Sequence, residues 1–501
     1  MRVILNRTNP NSGLLFLILV ILVGTFLRFY ALGVESIWYD EASAINLSIQ
    51  NIATVLRDCA VTQNHPPLYF VLLHYWIELF GTSEVATRSL SVIFGIVSML
   101  VIYKIGLSLY NRTLGLLACL LSATSFFHIA YSQEVRSYSL LLLLSLLSYY
   151  SFIKILQVNN KRWYFTYFIS NILLSYTHAY GILITASQAI IMIFVWSRHR
   201  EVVFKFLGTL GAIILVSIPL LLLMSGRITQ FVTDGFWVPE PVLADIGKTL
   251  VAFSAYWGRD IAKLIVIIFA PLIIVSFFSI NEISGEWNWR SPVASLEKLK
   301  WRISLDQFEV SLILTVWLLA PIVLAFIQSK LITPTYQIRY LIGASPALYL
   351  LIAKGLTSIS KKKLFYPILV LIIAMSSIGL YNYYIDEFKD PWRDVGGFVE
   401  ANSYRDDCII ADLAYNGEPF LHYYHGSAVV YIIPWELQEP IDKCQYIQEI
   451  SHGKKGVWVI TNSTDINLFI GCLEGLDGNN KLQVNRVQFG TLSALSVKLS
   501  K

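Results

Sequence analysis

The sequence predicts a mostly α-helical, polytopic membrane protein that ends in a small α/β domain outside the bilayer. Three observations carry this. Of 501 residues, 55% are hydrophobic and only 14% are charged, with a mean hydropathy of +0.60. A soluble chain of this length needs more charge to cover its surface. The apolar residues come in runs of roughly 18–22, the length that crosses a bilayer core. After residue 384 the pattern changes, and charges and Asn/Gly turns return.

The spanning candidates lie near 12–32, 86–108, 113–131, 138–156, 163–180, 181–197, 204–224, 261–280, 307–327, 337–353 and 364–384. The first is read as a retained helix, because it lacks a small-x-small cleavage site and Arg28, Tyr30 and Trp38 follow closely. The run 68–80 follows Pro66-Pro67, stops at Gly81 and contains His74 and Glu78. Basic residues decide whether it crosses, since cytoplasmic loops carry the excess of Lys and Arg. With Arg2 and Arg7 inside and 68–80 lying at the outer interface, the clusters Lys104/Arg112, Lys154/Lys161/Arg162, Arg198/Arg200/Lys205, Arg290/Lys298/Lys300/Arg302 and Lys354/Lys361/Lys362/Lys363 all fall inside. If 68–80 crossed, every later cluster would flip. The expectation is therefore eleven spans plus outer juxtamembrane helices, in a plasma (inner) membrane protein with a cytoplasmic N-terminus. The net charge of +5 belongs to this orientation, and nucleic acid is not implied.

This topology puts outside the loops 33–85 and 225–260 and the tail from about 385. The domains expected are 1–384, helical, and 385–501, extracytoplasmic. In the tail, 395–401 and 419–424 read as helices, and 408–411, 429–433 and 457–460 as strands. Five cysteines form no metal-binding spacing; Cys408, Cys444 and Cys472 are open to pairing if the tail meets an oxidising space.

The first outer loop reads Ser36-Ile37-Trp38-Tyr39-Asp40-Glu41. Two carboxylates just past the membrane boundary, behind two aromatics, suit general-base work on a hydroxyl. A plain solvated loop with interface-anchoring aromatics is the ordinary reading of such a pair alone. Other polar residues on the same side change the weighing: His65 and Tyr69 at the interfacial helix, Glu134, Arg136 and Tyr138 between the third and fourth spans, His178 at the end of the fifth, Tyr336 and Arg339 at the tenth. Ionisable groups at membrane depth are costly and usually face a protein or water cavity. Arginine binds phosphate through paired donors. Such a cluster beside apolar walls suits a substrate with an anionic head and a hydrocarbon tail. Plainer readings stand beside it: Glu134 and Arg136 paired with each other, Arg339 snorkelling to headgroups. His65, His178 and Asp40 are also metal-ligand types, so a divalent metal stays open. No Walker-type loop and no strand-linked GxGxxG is present.

In order, the chain carries Tyr39-Asp40-Glu41, His65-Pro66-Pro67-Leu68-Tyr69, Ala86-Thr87-Arg88-Ser89-Leu90, Gln133-Glu134-Val135-Arg136-Ser137-Tyr138, Arg339-Tyr340-Leu341 with Pro346-Ala347-Leu348, and Lys389-Asp390-Pro391-Trp392-Arg393-Asp394. The whole resembles bacterial family 39 glycosyltransferases of the GT-C membrane fold, relatives of the dolichyl-phosphate-mannose protein mannosyltransferases and the lipid A aminoarabinose transferases. The resemblance implies a polyprenyl-phosphate-linked sugar donor and transfer on the outer face; the one-sided polar cluster adds the expectation of transfer with inversion, to a lipid, glycan or protein hydroxyl. The resemblance also implies Asp40 as catalytic base, Glu41 orienting it or binding acceptor, and Arg136, Arg339 and His65 at the donor phosphate. Tyr39, Tyr69, Glu134, Tyr138, His178 and Tyr336 would form the site wall or meet the acceptor. His65 stands where aminoarabinose transferases have lysine, and Asn64 where they have an acidic residue, which weakens an inherited metal site. The rival classes are a lipid or glycan flippase, which wants polar residues at the midplane and broken helices in paired halves, and a non-catalytic scaffold.

Overall fold

A computed structural model describes residues 10–499 apart from 62–64, 235–237, 255–258, 278, 281–300, 303–304, 360–361, 387, 413, 435–436, 438, 463–465 and 477–481. Arg2, Arg7, Asn64, Lys361 and the whole basic stretch 290–300 therefore lie outside the described residues. The chain forms two compact units: Met1–Tyr30 with Gln50–Gly81 and Ala86–Ile385, and Ala31–Ile49 with Thr82–Val85 and Asp386–Lys501.

The first unit is helical. Its helices are α1 (Pro10–Phe29), α3 (Ile52–Val61), α4 (Leu68–Phe80), α5 (Glu84–Leu109), α6 (Arg112–Ala123), α7 (Phe126–Ser132), α8 (Tyr138–Val158), α9 (Lys161–Ser175), α10 (Gly181–Val195), α11 (Arg200–Asp234), α12 (Leu243–Ser254), α13 (Arg259–Ser276), α14 (Leu305–Leu331), α15 (Ser345–Ser358) and α16 (Lys362–Ile385). Helix α2 (Tyr39–Ser48) belongs to the second unit. Among the described residues seven helical segments are long and apolar enough to cross a membrane, or eight if the bent pair α6–α7 is one span. The eleven expected spans include that pair, bent by 58°, and the helices α9 and α10 of 15 residues each. Fifteen residues reach only about 22 Å, short of a roughly 30 Å core. Helix α4 has 13 residues and ends at Gly81, whose φ of +82° stops the helix.

The bend between α6 and α7 frees carbonyls, and the buried Arg28 collects them. Its guanidinium donates to Ser122 O at 3.1 Å, Ala123 O at 3.3 Å and Gly24 O at 3.0 Å. Ser125 Oγ caps the restart by accepting from His128 N. Lys354, expected among the cytoplasmic loop charges, is instead buried in α15. Its ammonium donates to Ser276 O at 2.6 Å, Gln307 O at 2.7 Å and Ser311 Oγ at 2.5 Å, tying α13, α14 and α15 together. Helices α5 and α6 touch where Gly106 meets Gly115, and a Cβ on Gly106 would lie 2.6 Å from Gly115 Cα. Small residues let membrane helices approach this closely. Gly106→Val should therefore cost about 1–3 kcal/mol by overpacking. A thermal-unfolding scan in detergent checks this, and an unchanged midpoint would contradict it.

The tail of the second unit is an α/β domain, as expected. Strands β1 (Cys408–Ala411), β2 (Val429–Ile432), β3 (Gly456–Asn462), β4 (Asn485–Phe489) and β5 (Leu492–Lys498) form one sheet in the order β2-β1-β3-β5-β4. β1 pairs parallel with β2 and β3, while β5 pairs antiparallel with β3 and β4. Successive side chains point to opposite faces, so the inner strands β1 and β3 feed two cores. Cys408, Ile410, Val457 and Val459 pack with Ile447 and Phe469 of α19 (Pro440–Ser451) and α20 (Ile466–Glu474). Ile409 and Trp458 pack with Val395 and Phe420 of α17 (Trp392–Asn402) and α18 (Ala414–Tyr423). Cys444 and Cys472 form a disulfide between α19 and α20, with Cα atoms 5.1 Å apart; Cys408 is free and buried. Cys444→Ser should lower the stability of this domain by about 2–4 kcal/mol. Limited proteolysis of the full chain reads this as faster cleavage within 386–501; equal rates would contradict it.

Candidate functional groups in the two units

In the helical unit, three local devices bring distant residues together. Leu68 N donates to Tyr176 O at 2.9 Å, which fixes the start of α4 against the turn after α9. His65 and His178, 113 positions apart in sequence, then lie with ring centroids at 5.9 Å. The short turn between α7 and α8 presents Arg136, whose guanidinium donates to His65 Nε2 at 2.8 Å. A 3-10 segment, Ile338–Ala344, precedes α15 and presents Arg339. The Arg339 guanidinium lies 5.8 Å from the Tyr138 ring centroid and 5.7 Å from that of Tyr340. Tyr340 in turn lies 4.8 Å from His178. Arg136, His65, His178, Tyr138, Arg339 and Tyr340 thus form one contiguous group.

The imidazoles in this group are neutral. Burial, together with the positive charge of Arg136 and the nearby His178 and Arg339, holds His65 well below the ordinary histidine value. Its Nε2 accepts the Arg136 N–H, so its proton sits on Nδ1. At His178 the pattern is reversed. Tyr180 N donates to its Nδ1 at 3.1 Å, which leaves the ring proton on Nε2. That N–H is buried and has no hydrogen-bond partner among the described residues. A buried donor left unmade costs about 1–3 kcal/mol, and such a cost is offset where a ligand supplies the acceptor.

The remaining expected residues take other places. Tyr69 is fully buried; its hydroxyl pairs with Ser91 Oγ at 3.0 Å, and Ser91 Oγ donates to Arg136 O at 3.3 Å. It thus packs behind Arg136. Tyr336 pairs with Thr249 Oγ1 of α12 at 2.7 Å. Glu134 is half-buried in the turn that holds Arg136. His128 and Gln133, beside that turn in sequence, serve packing. His128 bridges Ser122 and Ser345, and Gln133 donates to Arg28 O and Tyr30 O. Tyr340 was not among the expected site residues; its signal is an aromatic directly after an arginine at a helix start.

In the second unit, Tyr39, Asp40 and Glu41 open α2, behind Trp38 in extended conformation. A helix N-terminus favours carboxylates in its first turn. The two acids differ sharply. Glu41 is fully buried and pairs with Lys389 at 3.0 Å, whereas Tyr39 and Asp40 are part-exposed. Among the described residues no three His, Cys, Asp or Glu side chains are placed to hold a metal ion.

Residues 64–222 match the family described as dolichyl-phosphate-mannose-protein mannosyltransferase. No curated protein sequence matches the chain. Among solved structures, apo ArnT from Cupriavidus metallidurans is similar with TM-score 0.63 at 11% identity, over 97% of this chain and 98% of that one. The same enzyme bound to undecaprenyl phosphate gives TM-score 0.61 at 10% identity, over 96% and 97%. The Archaeoglobus fulgidus oligosaccharyltransferase tethered to an acceptor peptide gives 0.53 at 12%, over 93% and 71%. The chain is a multi-pass membrane protein with the GT-C glycosyltransferase fold.

Proposed function

We propose that this chain is a membrane glycosyltransferase that moves a sugar from a polyprenyl-phosphate donor to a hydroxyl on the outer face of the membrane, with inversion. One observation carries the reading. Two guanidiniums and a buried imidazole N–H without a partner among the described residues gather in one group, on a fold shared with an enzyme solved with undecaprenyl phosphate. Phosphate oxygens are the acceptors such donors match. His65, being neutral, does not act as a cation here; it orients Arg136, which meets the phosphate.

In this reading Asp40 takes the proton of the acceptor hydroxyl. The oxygen attacks the anomeric carbon, the bond from that carbon to phosphate oxygen breaks, and polyprenyl phosphate leaves. Arg136, Arg339 and the His178 Nε2–H hold the charge that develops on the leaving group. Burial of Glu41 favours orienting α2 over touching acceptor. The disulfide of the tail supports placing that domain in an oxidising, extracytoplasmic space. A lipid-linked donor fits that side, where nucleotide sugars are absent.

The test is transfer of label by purified protein, supplied with radiolabelled polyprenyl-phosphate sugars and a membrane lipid extract. Label should move, and the product's anomeric configuration should be opposite to the donor's. Folded protein that moves label from none of the donors would contradict the reading.

A further inference from the structure

The helix that carries Asp40 is held by the tail within the second unit. Tyr423 Oη accepts from Ile37 N at 2.7 Å, and Glu35 Oε1 accepts from Phe388 N at 2.8 Å. Arg393 N donates to Ser36 Oγ at 3.2 Å, and its guanidinium donates to Gly33 O at 3.0 Å. These contacts fix the approach to α2. Two more grip the helix itself. Lys389 Nζ lies 3.0 Å from Glu41 Oε2; the carboxylate side chain is 0% exposed and the lysine 12%. Glu418 of α18 hydrogen-bonds Ser43, one helical turn beyond Asp40. Burial, with the charge of Asp40, pushes the Glu418 carboxyl up.

On the reading of Asp40 as catalytic base, we propose that Lys389 and Glu418 are positioning residues for that base, acting through Glu41 and Ser43. The tail is then part of the catalytic apparatus. The physical reason is asymmetric. A buried ion pair adds little net stability, but removing one partner leaves an uncompensated charge that the fold must relieve by moving. Removing Lys389 exposes α2 to that displacement at its first turn, the turn that presents Asp40. A displacement of about 1 Å at a reacting group costs on the order of 100-fold in rate.

Steady-state kinetics of full-length Lys389→Met test this. We expect kcat about 100-fold lower with the KM for polyprenyl-phosphate sugar unchanged. Lys389→Arg should restore most of kcat. The double variant Glu41→Gln/Lys389→Met, which buries no lone charge, should exceed Lys389→Met. Should Lys389→Met fail to fold, Glu418→Ala serves instead: kcat falls about tenfold while Glu418→Gln, which keeps a partner for Ser43, stays near wild type. Wild-type kcat in Lys389→Met, or in Glu418→Ala where that variant replaces it, would overturn the proposal. So would a parallel loss of kcat, donor KM and melting temperature that arginine does not rescue, because that marks a merely structural role. Asp40→Asn in the same assay separates the two levels. If it is inactive while Lys389→Met is fully active, the positioning role fails and the transferase reading stands. If Asp40→Asn is also fully active, the underlying reading fails.

Discussion

Replacing Asp40 with asparagine should lower transfer by a factor of about 10²–10⁴, the range that a positioned general base contributes. The substitution keeps size and shape, Asp40 is part-exposed, and the buried ion pair with Lys389 is made by its neighbour Glu41. Folding should therefore be unchanged, and so should donor binding, because His178 and the arginines proposed to meet the phosphate lie on other elements. The measurement is single-turnover transfer, with the melting temperature taken on the same preparation. Glu41→Gln should behave differently. It removes the partner of a lysine that is 12% exposed, so stability and rate should fall together. Equal transfer by Asp40→Asn and wild type would remove Asp40 from the chemistry.

Arg136→Ala should lower kcat by about 10²–10³, the usual cost of losing one preorganised donor to a developing oxyanion. It should also weaken polyprenyl-phosphate binding, since the same guanidinium is proposed to meet ground-state phosphate. Arg136→Lys should recover only part of both. A lysine is a point charge without the planar fork, and it cannot serve His65 and a phosphate oxygen with the same fixed geometry. Truncation also leaves His65 Nε2 without the donor now at 2.8 Å, so part of the loss is misplacement of that ring. Comparing kcat and donor KM across the three proteins checks this. Wild-type values in Arg136→Ala would place the phosphate elsewhere.

Much of this was legible in the sequence, and the gaps have physical causes. Apolar runs and the alternation of basic clusters identify a multi-pass helical chain, because the bilayer imposes length and sidedness on each segment independently. The length of 68–80 is ambiguous alone, and it is the alternation of basic clusters that keeps this run at the outer interface; the structure ends its helix at Gly81. The bend at 124–125 has no proline or glycine to announce it; it rests on Arg28, roughly a hundred positions away. Lys354 shows the limit of charge counting, since a buried lysine satisfied by carbonyls sits among residues read as loop cations. In the tail, the inner strand β1 was readable as a continuous apolar run, as a parallel strand buried on both faces should be. The helix Pro440–Ser451, whose mean apolar character is low, and the edge strand Asn485–Phe489 were not.

The candidate site divides in the same way. Arg136, Arg339, His65 and His178 stand out singly because charged and imidazole side chains near membrane ends are rare and costly. Their mutual contacts depend on tertiary register, here the Leu68–Tyr176 bond and the 3-10 segment before α15. The pairing of Glu41 with Lys389 spans 348 positions, and no local pattern encodes it. The tautomer of His178 follows from one backbone N–H, which a sequence does not show.

The central claim is that Arg136, Arg339 and His178 bind a polyprenyl phosphate. The most direct measurement is binding of undecaprenyl phosphate to purified protein, read by native mass spectrometry for wild type and for Arg136→Ala/Arg339→Ala. Wild type should form a saturable complex, and the double variant one at least tenfold weaker, the equivalent of about 1.4 kcal/mol. Equal binding by the two folded proteins would contradict the claim.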